Sequence, residues 1–182
     1  MIGRGISDIL TRYFVLALLG LGNLWIFYTV FTPLTVYPVF FILNTFYDAL
    51  LFSGRVILIN RTIPIELIEA CIAGAAYYLL LILNLTTREI KLNTRMKMIV
   101  FAFLAFLIVN IIRISLLAVL AASGSQYFDI THRVFWYALS TIFVVAIWFA
   151  QVKIFKIKAV PFYSDIKFLL NQKGSKRKRK RR

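Results

Sequence analysis

Long apolar stretches, separated by short polar or charged connectors, dominate the pattern along the chain. They cover about residues 13–31, 34–52, 67–86, 97–121 and 134–152. A helix needs roughly 20 predominantly apolar residues to cross the hydrocarbon core of a bilayer. Because only helices and closed barrels satisfy their backbone groups inside lipid, the pattern predicts an all-α integral membrane protein. We expect a helical bundle of about 4–5 transmembrane helices.

The second stretch differs from the others because polar side chains interrupt it. Asn44, Thr45 and Asp48 lie on one side of a helix over 34–52, since residues three and four apart share a helix face. Pro38 interrupts the start of this helix. We therefore expect an external amphipathic helix that lies on or dips into the membrane surface. The alternative is that 34–52 also spans, with five spans and an external N-terminus.

Residues 54–66 have the pattern of extended structure. The apolar segments 56–59 and 63–65 are rich in β-branched residues and flank a polar turn at 60–62. This arrangement predicts a short external hairpin or two extended arms. Pro64 has no N–H to donate to a sheet, so it would confine the second arm to a sheet edge.

The distribution of basic residues predicts the orientation of the spans. The connector 87–97 carries four Lys or Arg residues against one Glu, and the tail 159–182 is also strongly basic. Cytoplasmic loops carry an excess of Lys and Arg, so both segments should be cytoplasmic. The loop 122–133 and the start of the 67–86 span are then external. This predicts a multi-pass protein of the cell membrane with a cytoplasmic C-terminus.

Composition agrees with a membrane protein. Of the 182 residues, 61% are hydrophobic, and the mean hydropathy is +0.83. The net charge of +15 is concentrated near the C-terminus, where the run 176–182 consists entirely of Lys and Arg. Beside membrane spans, such a run is expected to contact anionic lipid headgroups rather than nucleic acid. We divide the chain into an integral membrane domain, 1–158, and a basic cytoplasmic tail, 159–182.

Three chemically distinctive side chains fall at the predicted external face. Cys71, the only cysteine, lies near the start of a span, where a helix N-terminus and a nearby cation favour the nucleophilic thiolate. Arg113 lies inside the 97–121 span, where an arginine costs about 2.5–3.5 kcal/mol unless it has a partner or a function. Asn110 shares its helix face. A single cysteine excludes an intramolecular disulfide, and we expect neither metal nor cofactor.

His132, the only histidine, supplies a candidate general base at the mouth of the last span. Asp129 is placed to orient it, and the adjacent Arg133 is the alternative for its role. Each residue has a simpler interpretation as well. A membrane cysteine often serves as a small hydrophobic residue, and an arginine can extend outward to lipid headgroups. The three candidates are more persuasive together because the charge pattern brings them to one membrane face.

Taken in order, these features resemble the exosortase/archaeosortase family of membrane cysteine transpeptidases. The matching elements are the extended segment 54–65, Cys71 after an alanine and near a glycine, the run 110–114 with its Asn and Arg late in a span, and His132 at the mouth of the last span. They cover roughly residues 35–150. The family usually has Ser or Thr and then Gly after the cysteine, whereas Ile72 and Ala73 precede the glycine here. The chain therefore looks like a divergent, short and more archaeal member.

The resemblance implies a function and a set of roles. Cys71 would be the nucleophile of a membrane-embedded cysteine protease/transpeptidase, Arg113 its essential arginine, and His132 the third member. Substrates would be exported proteins whose C-terminal signal combines a short motif, a transmembrane helix and a basic end. The acyl group would pass to water, a lipid or another nucleophile.

Two other functions remain open on the sequence alone. A small substrate-binding membrane subunit of a transporter would have a similar size and basic character. That alternative explains Arg113 as a ligand anchor but leaves Cys71 and His132 without a task. A non-enzymatic membrane scaffold is the other alternative.

Overall fold

The structure is a computed structural model that describes residues 2–22, 24–87, 90–135 and 140–157. The basic tail predicted over 159–182 lies outside these residues. The described chain is mostly helical with one small sheet. Its elements, in chain order, are α1 (Ile2–Leu21), α2 (Trp25–Phe46), β1 (Ala49–Ser53), β2 (Val56–Ile59), β3 (Ile63–Glu66), α3 (Glu69–Ile72), α4 (Gly74–Thr86), α5 (Leu92–Ala122), α6 (Phe128–Val134) and α7 (Ser140–Ile154).

Three of the described helical stretches are long and apolar enough to cross a membrane. They are Trp25–Phe46, Glu69–Thr86 and Leu92–Ala122, and two shorter apolar helices cover Ile9–Leu21 and Thr141–Ile154. The prediction of a mostly helical chain with apolar, membrane-sized helices and a short extended segment is confirmed. The number of helices that cross the bilayer stays a prediction.

The amphipathic helix predicted over 34–52 is wrong in its bounds. One continuous helix, α2, runs from Trp25 to Phe46 through Pro33 and Pro38, and residues 49–53 form a strand. The first break falls earlier, after Leu21, where Leu24 takes a left-handed conformation with φ 58°. The buried side chains of α2 on both sides of the prolines pack into the core, and this packing offsets the hydrogen bonds that proline removes.

Contacts along α4 show how α1 and α2 run past it. Arg12 donates to the Leu85 carbonyl at 2.7 Å, near the C-terminal end of α4. Further along, the Tyr78 hydroxyl donates to the backbone of α1 at 2.7 Å. The ring of Tyr28 lies against Gly74, the first residue of α4. Within α1 and the start of α2, the chain therefore passes from the C-terminal end of α4 to its N-terminal end.

A second arginine reinforces the far end of α4. Arg95 donates to the carbonyls of Leu85 and Thr87 at 2.9 and 3.0 Å, and Arg12 shares the Leu85 carbonyl. These carbonyls lie at the end of α4 and lack partners within the helix. The two buried guanidinium groups thus tie α1, α4 and α5 together.

The sheet has the strand order β1-β2-β3, and both strand pairs are antiparallel. Ile57 pairs with Ile65 and Ile59 with Ile63, so the predicted hairpin over 56–65 is confirmed. Asn60 has a positive φ of 51°, as a tight turn between twisted strands requires. The edge placement of the second arm is also confirmed, because β3 is an outer strand. Strand β1 was not predicted, since its residues continue the apolar run of α2.

An aromatic cluster forms the core where α2, α4 and α5 meet. Phe31 stacks on Tyr77 with ring centroids 3.6 Å apart, and Phe103 and Phe106 meet Tyr77 edge-on. Phe27 joins the same cluster through Phe103. Offset-stacked and edge-to-face ring pairs add stability beyond the area they bury. This cluster supports the end of the bundle that carries Cys71.

Candidate active site

Cys71 lies in a short helix that ends just after it. Helix α3 covers Glu69–Ile72 and stops at Ala73, which takes a left-handed conformation with φ 59° before α4 begins. The Cys71 N–H donates to the Ile68 carbonyl at 2.8 Å, and its side chain is half-buried. The break matters because it removes the carbonyls of α3 from the regular helical ladder.

Asn110 on α5 supplies the hydrogen bonds that this break would leave unmade. Its side-chain Nδ2 donates to the Cys71 carbonyl at 2.9 Å and to the Ile72 carbonyl at 3.4 Å. The residue itself is buried, with 1% of its surface exposed. Asn110 therefore holds the backbone of the cysteine against α5. We had expected it to make the face around Arg113 polar, and this positioning contact was not predicted.

Arg113 lies three residues further along α5, on the same helix face as Asn110. It is 4% exposed, and it lines the same cavity as Cys71. A buried cation beside a thiol stabilises the thiolate electrostatically. Arg113 is thus part of the site, although the sequence alone would also allow it to extend outward to headgroups.

His132 reaches the same site from α6. This short helix follows the turn at Ser123–Gly124, and the imidazole stacks face to face on the Phe128 ring at 5.5 Å between centroids. The side chain of His132 is half-buried. The four-residue spacing of Phe128 and His132 on one helix turn was the sequence signal for this ring pair. We had not used it.

One cavity of about 260 Å³ joins the three candidates. Its lining comes from β3, from the two residues that follow it, and from helices α3, α5 and α6. The lining residues are Pro64, Ile65, Glu66, Leu67, Ile68, Cys71, Arg113, Ile114, Leu117, Ala118, Ala121, Phe128 and His132. A thiol, a guanidinium and an imidazole therefore border one mostly apolar space. An apolar lining lowers the local dielectric, which strengthens electrostatic interactions between the groups that border it.

The two other residues predicted to support the site lie elsewhere. Asp129 and Arg133 are exposed on α6, and neither lines this cavity. The roles predicted for them, orienting His132 for Asp129 and replacing it for Arg133, are not explained by this cavity and stay predictions.

A second cavity lies on the other side of α3. It measures about 210 Å³ and is lined by Tyr28, Glu69, Arg113 and four alanines, at positions 70, 73, 75 and 76. Arg113 thus borders both cavities. Glu69 lies 3.9 Å from Arg55, an exposed pair of the kind that contributes little to stability. Four alanines that lie close to Cys71 in the sequence therefore line this second space.

In the part of the chain that the structure describes, no three His, Cys, Asp or Glu side chains come together as metal ligands. Comparison with known protein families, characterised proteins and solved structures finds no match to this chain. The resemblance to exosortases and archaeosortases accordingly rests on the residues quoted above, and function must be argued from the site.

Proposed function

We propose that this chain is a membrane-embedded cysteine peptidase/transpeptidase that processes the C-terminal sorting signals of exported proteins through a Cys71 thioester. The observation that carries the proposal is the shared cavity. Cys71, Arg113 and His132 come from α3, α5 and α6, yet all three line one space of about 260 Å³. The three residues are not neighbours in the sequence, and their meeting at one cavity brings a nucleophile, a cation and a base together.

The first chemical step breaks the substrate's peptide bond. His132 accepts the proton of the Cys71 thiol, and the thiolate attacks the scissile carbonyl carbon to form a C–S bond. Arg113 stabilises the oxyanion that develops on the carbonyl oxygen. When the tetrahedral intermediate collapses, the C–N bond breaks, and His132 protonates the departing amine. The acyl group remains on Cys71 as a thioester.

The second step returns the enzyme to its starting state. A nucleophile (water, an amine or a lipid hydroxyl) attacks the thioester carbonyl while His132 accepts its proton. The C–S bond then breaks, and the sulfur recovers the proton from His132. Hydrolysis releases a shortened protein, whereas an amine or hydroxyl acceptor yields a transferred one.

The charge pattern supports a particular orientation for this chemistry. The basic connector 87–97 favours a cytoplasmic position for the Leu85 and Thr87 end of α4. Cys71 lies at the opposite end of that helical stretch, so the cavity would open near the external face of the cell membrane. A substrate anchored by its own C-terminal helix would present its motif there.

Mass spectrometry of exported proteins tests the proposal. We expect cells that carry Cys71→Ala to accumulate surface proteins with intact C-terminal signals, while wild-type cells cleave them. Cys71→Ala should preserve the fold because it removes one sulfur from a half-buried position. Arg113→Lys should reduce processing about 10²–10³-fold, since lysine lacks the planar guanidinium fork.

The role of the general base is tested by comparing variants of two adjacent residues, His132 and Arg133. His132→Ala should reduce processing about 10²–10⁴-fold, the usual contribution of a general base. Arg133→Ala is the matched variant, because the neighbouring side chain lies on the same helix but outside the cavity. Normal processing by His132→Ala together with loss in Arg133→Ala would reassign the role to Arg133. Retained processing by Cys71→Ala would rule out the enzyme.

A further inference from the structure

The outer edge of strand β3 is an unused set of backbone hydrogen-bonding groups. In the described residues the sheet ends at β3, with β2 on one side and no strand on the other. Unpaired edges of this kind accept an additional strand from another chain. Proteins usually shorten, charge or cover such edges, and β3 ends with the charged Glu66.

The register shows which groups point outward. In an antiparallel pair, residues alternate between bonding to their partner strand and pointing away from it. The Leu67 N–H donates to the Arg55 carbonyl at 2.8 Å, so Ile65 and Ile63, two and four residues earlier, also face β2. Pro64 and Glu66 therefore direct their backbone outward. Because Pro64 has no N–H, β3 offers the carbonyls of both residues but the N–H of Glu66 alone.

This edge borders the cavity that holds the candidate nucleophile. The last three residues of β3, 64–66, line that cavity beside Cys71 and His132, and residues 67 and 68 continue the lining. Successive side chains of a strand point to opposite faces, so an uninterrupted run can border one space only along the backbone edge. The hydrogen-bonding groups of β3 and the thiol therefore face a common space.

We propose that the outer edge of β3 binds the acyl side of the substrate as an added, parallel β-strand, an inference that rests on the proposed function. The occupant is an extended peptide whose carbonyls and N–H groups complement Glu66 and Pro64. One peptide residue donates to the Pro64 carbonyl and accepts from the Glu66 N–H, and the residue two positions later donates to the Glu66 carbonyl. The edge thus selects extended backbone ahead of the scissile bond.

The parallel direction follows from the thioester. The leaving segment departs after the first step, whereas the acyl segment must stay in place until the second nucleophile arrives. Strand β3 runs toward Cys71 in the chain, from Ile63 through Glu66 to α3. A peptide whose C-terminal carbonyl reaches Cys71 while its preceding residues lie along β3 therefore runs in the same direction.

Peptide chloromethyl ketones test this inference on the full-length protein in detergent or lipid discs. The probe is a pooled library of acetylated pentapeptide chloromethyl ketones, compared with acetyl-alanine chloromethyl ketone. In both cases the Cys71 thiolate displaces chloride and forms a C–S bond, and intact-mass spectrometry measures the rate. We expect the pentapeptides to react at least ten-fold faster, because only they reach along β3.

Two perturbations then address the backbone directly. Glu66→Pro removes the outward N–H while leaving the bonds to β2, and should slow the pentapeptides about three- to ten-fold, the effect of one lost hydrogen bond. Glu66→Gln is the matched control, since it removes the charge but keeps the N–H, and it should keep the wild-type ratio of the pentapeptide rate to the acetyl-alanine chloromethyl ketone rate. On the wild-type protein, N-methylation along the peptide should reduce the rate at two positions that are two residues apart and leave the position between them unaffected.

Reaction with iodoacetamide tests the reactivity of Cys71 separately from strand addition at β3. It needs no strand pairing, so its rate with each variant measures the thiol reactivity against which that variant's pentapeptide rate is compared. Pentapeptides no faster than acetyl-alanine chloromethyl ketone, or unaffected by Glu66→Pro and by N-methylation, would overturn strand addition while leaving Cys71 as the nucleophile. A folded protein whose Cys71 is inert to iodoacetamide would overturn the proposed function, and strand addition with it.

Discussion

Asn110 offers the sharpest test of how the fold holds the cysteine in place. Its side chain donates to the Cys71 carbonyl at 2.9 Å and, less favourably, to the Ile72 carbonyl at 3.4 Å. Both carbonyls lie where α3 stops at Ala73. Asn110→Ala removes the donor from both carbonyls, of which the Ile72 carbonyl is buried and the Cys71 carbonyl is partly buried.

The magnitude follows from the two distances. Leaving a buried acceptor unsatisfied costs about 1–3 kcal/mol, and the longer bond adds little to that cost. We therefore expect the free energy of unfolding to fall by roughly 1–3 kcal/mol. For a chain of 150–250 residues, each kcal/mol lowers Tm by about 2–4 °C, so Tm should drop by roughly 2–12 °C.

Circular dichroism at 222 nm on detergent-solubilised protein measures this change during heating. Asn93→Ala is the matched control, because Asn93 is an exposed asparagine near the start of the same helix. We expect its Tm to stay within about 1 °C of wild type, the usual result for exposed substitutions. Equal Tm values for Asn110→Ala and Asn93→Ala would show that Asn110 does not hold the break after α3.

Three further outcomes follow from the structure. Ala73→Gly should raise the free energy of unfolding by about 0.5–1 kcal/mol because it relieves the left-handed φ of 59°. Ala75→Gly, in the first turn of α4, should lower it by a similar amount. Calorimetry that shows the same sign for both variants would contradict backbone strain at Ala73. A cysteine at Asn60, in a Cys71→Ala background, should react with an impermeant maleimide on intact cells, and reaction only after lysis would place the sheet in the cytoplasm. Deleting residues 175–182 should leave substrate processing within about two-fold, since other basic residues near the last span also contact anionic headgroups; complete loss at normal protein levels would show that the run is part of the machinery.

The identity of the site residues could be predicted from sequence because of chemical contrast. A thiol, an imidazole and an intramembrane arginine stand out in a chain that is 61% hydrophobic, and the positive-inside rule relates their positions without a structure. Their convergence on one cavity required the fold, since the three side chains come from separate helices, and Cys71 lies far from the other two in the sequence. The contact of Asn110 with the Cys71 carbonyl was equally hidden, because a hydrogen bond to backbone depends on where another helix ends.

The bounds of the first elements show the opposite case. The pattern predicted a break between residues 31 and 34, with Pro38 interrupting the next helix, but α2 continues through both positions and the true break follows Leu21. Local chemistry argues correctly that proline weakens a helix, but packing of Phe31, Val36 and Val39 into the core outweighs that cost. Likewise, β1 continues the apolar run of α2, and hydrophobicity alone does not distinguish a buried helix end from a strand.

By itself the sequence determined the class of the protein, its apolar helices, the hairpin with Pro64 at its edge, and the three unusual side chains. Each of these depends on properties that a residue carries with it: its hydrophobicity, its charge or the absence of an N–H. Only the tertiary structure decided that α1 packs along α4, that Arg113 lines two cavities, and that residues of β3 line the same cavity as Cys71. Those features depend on contacts between residues far apart in the chain, and such contacts form when packing selects one arrangement of helices among many with similar local preferences.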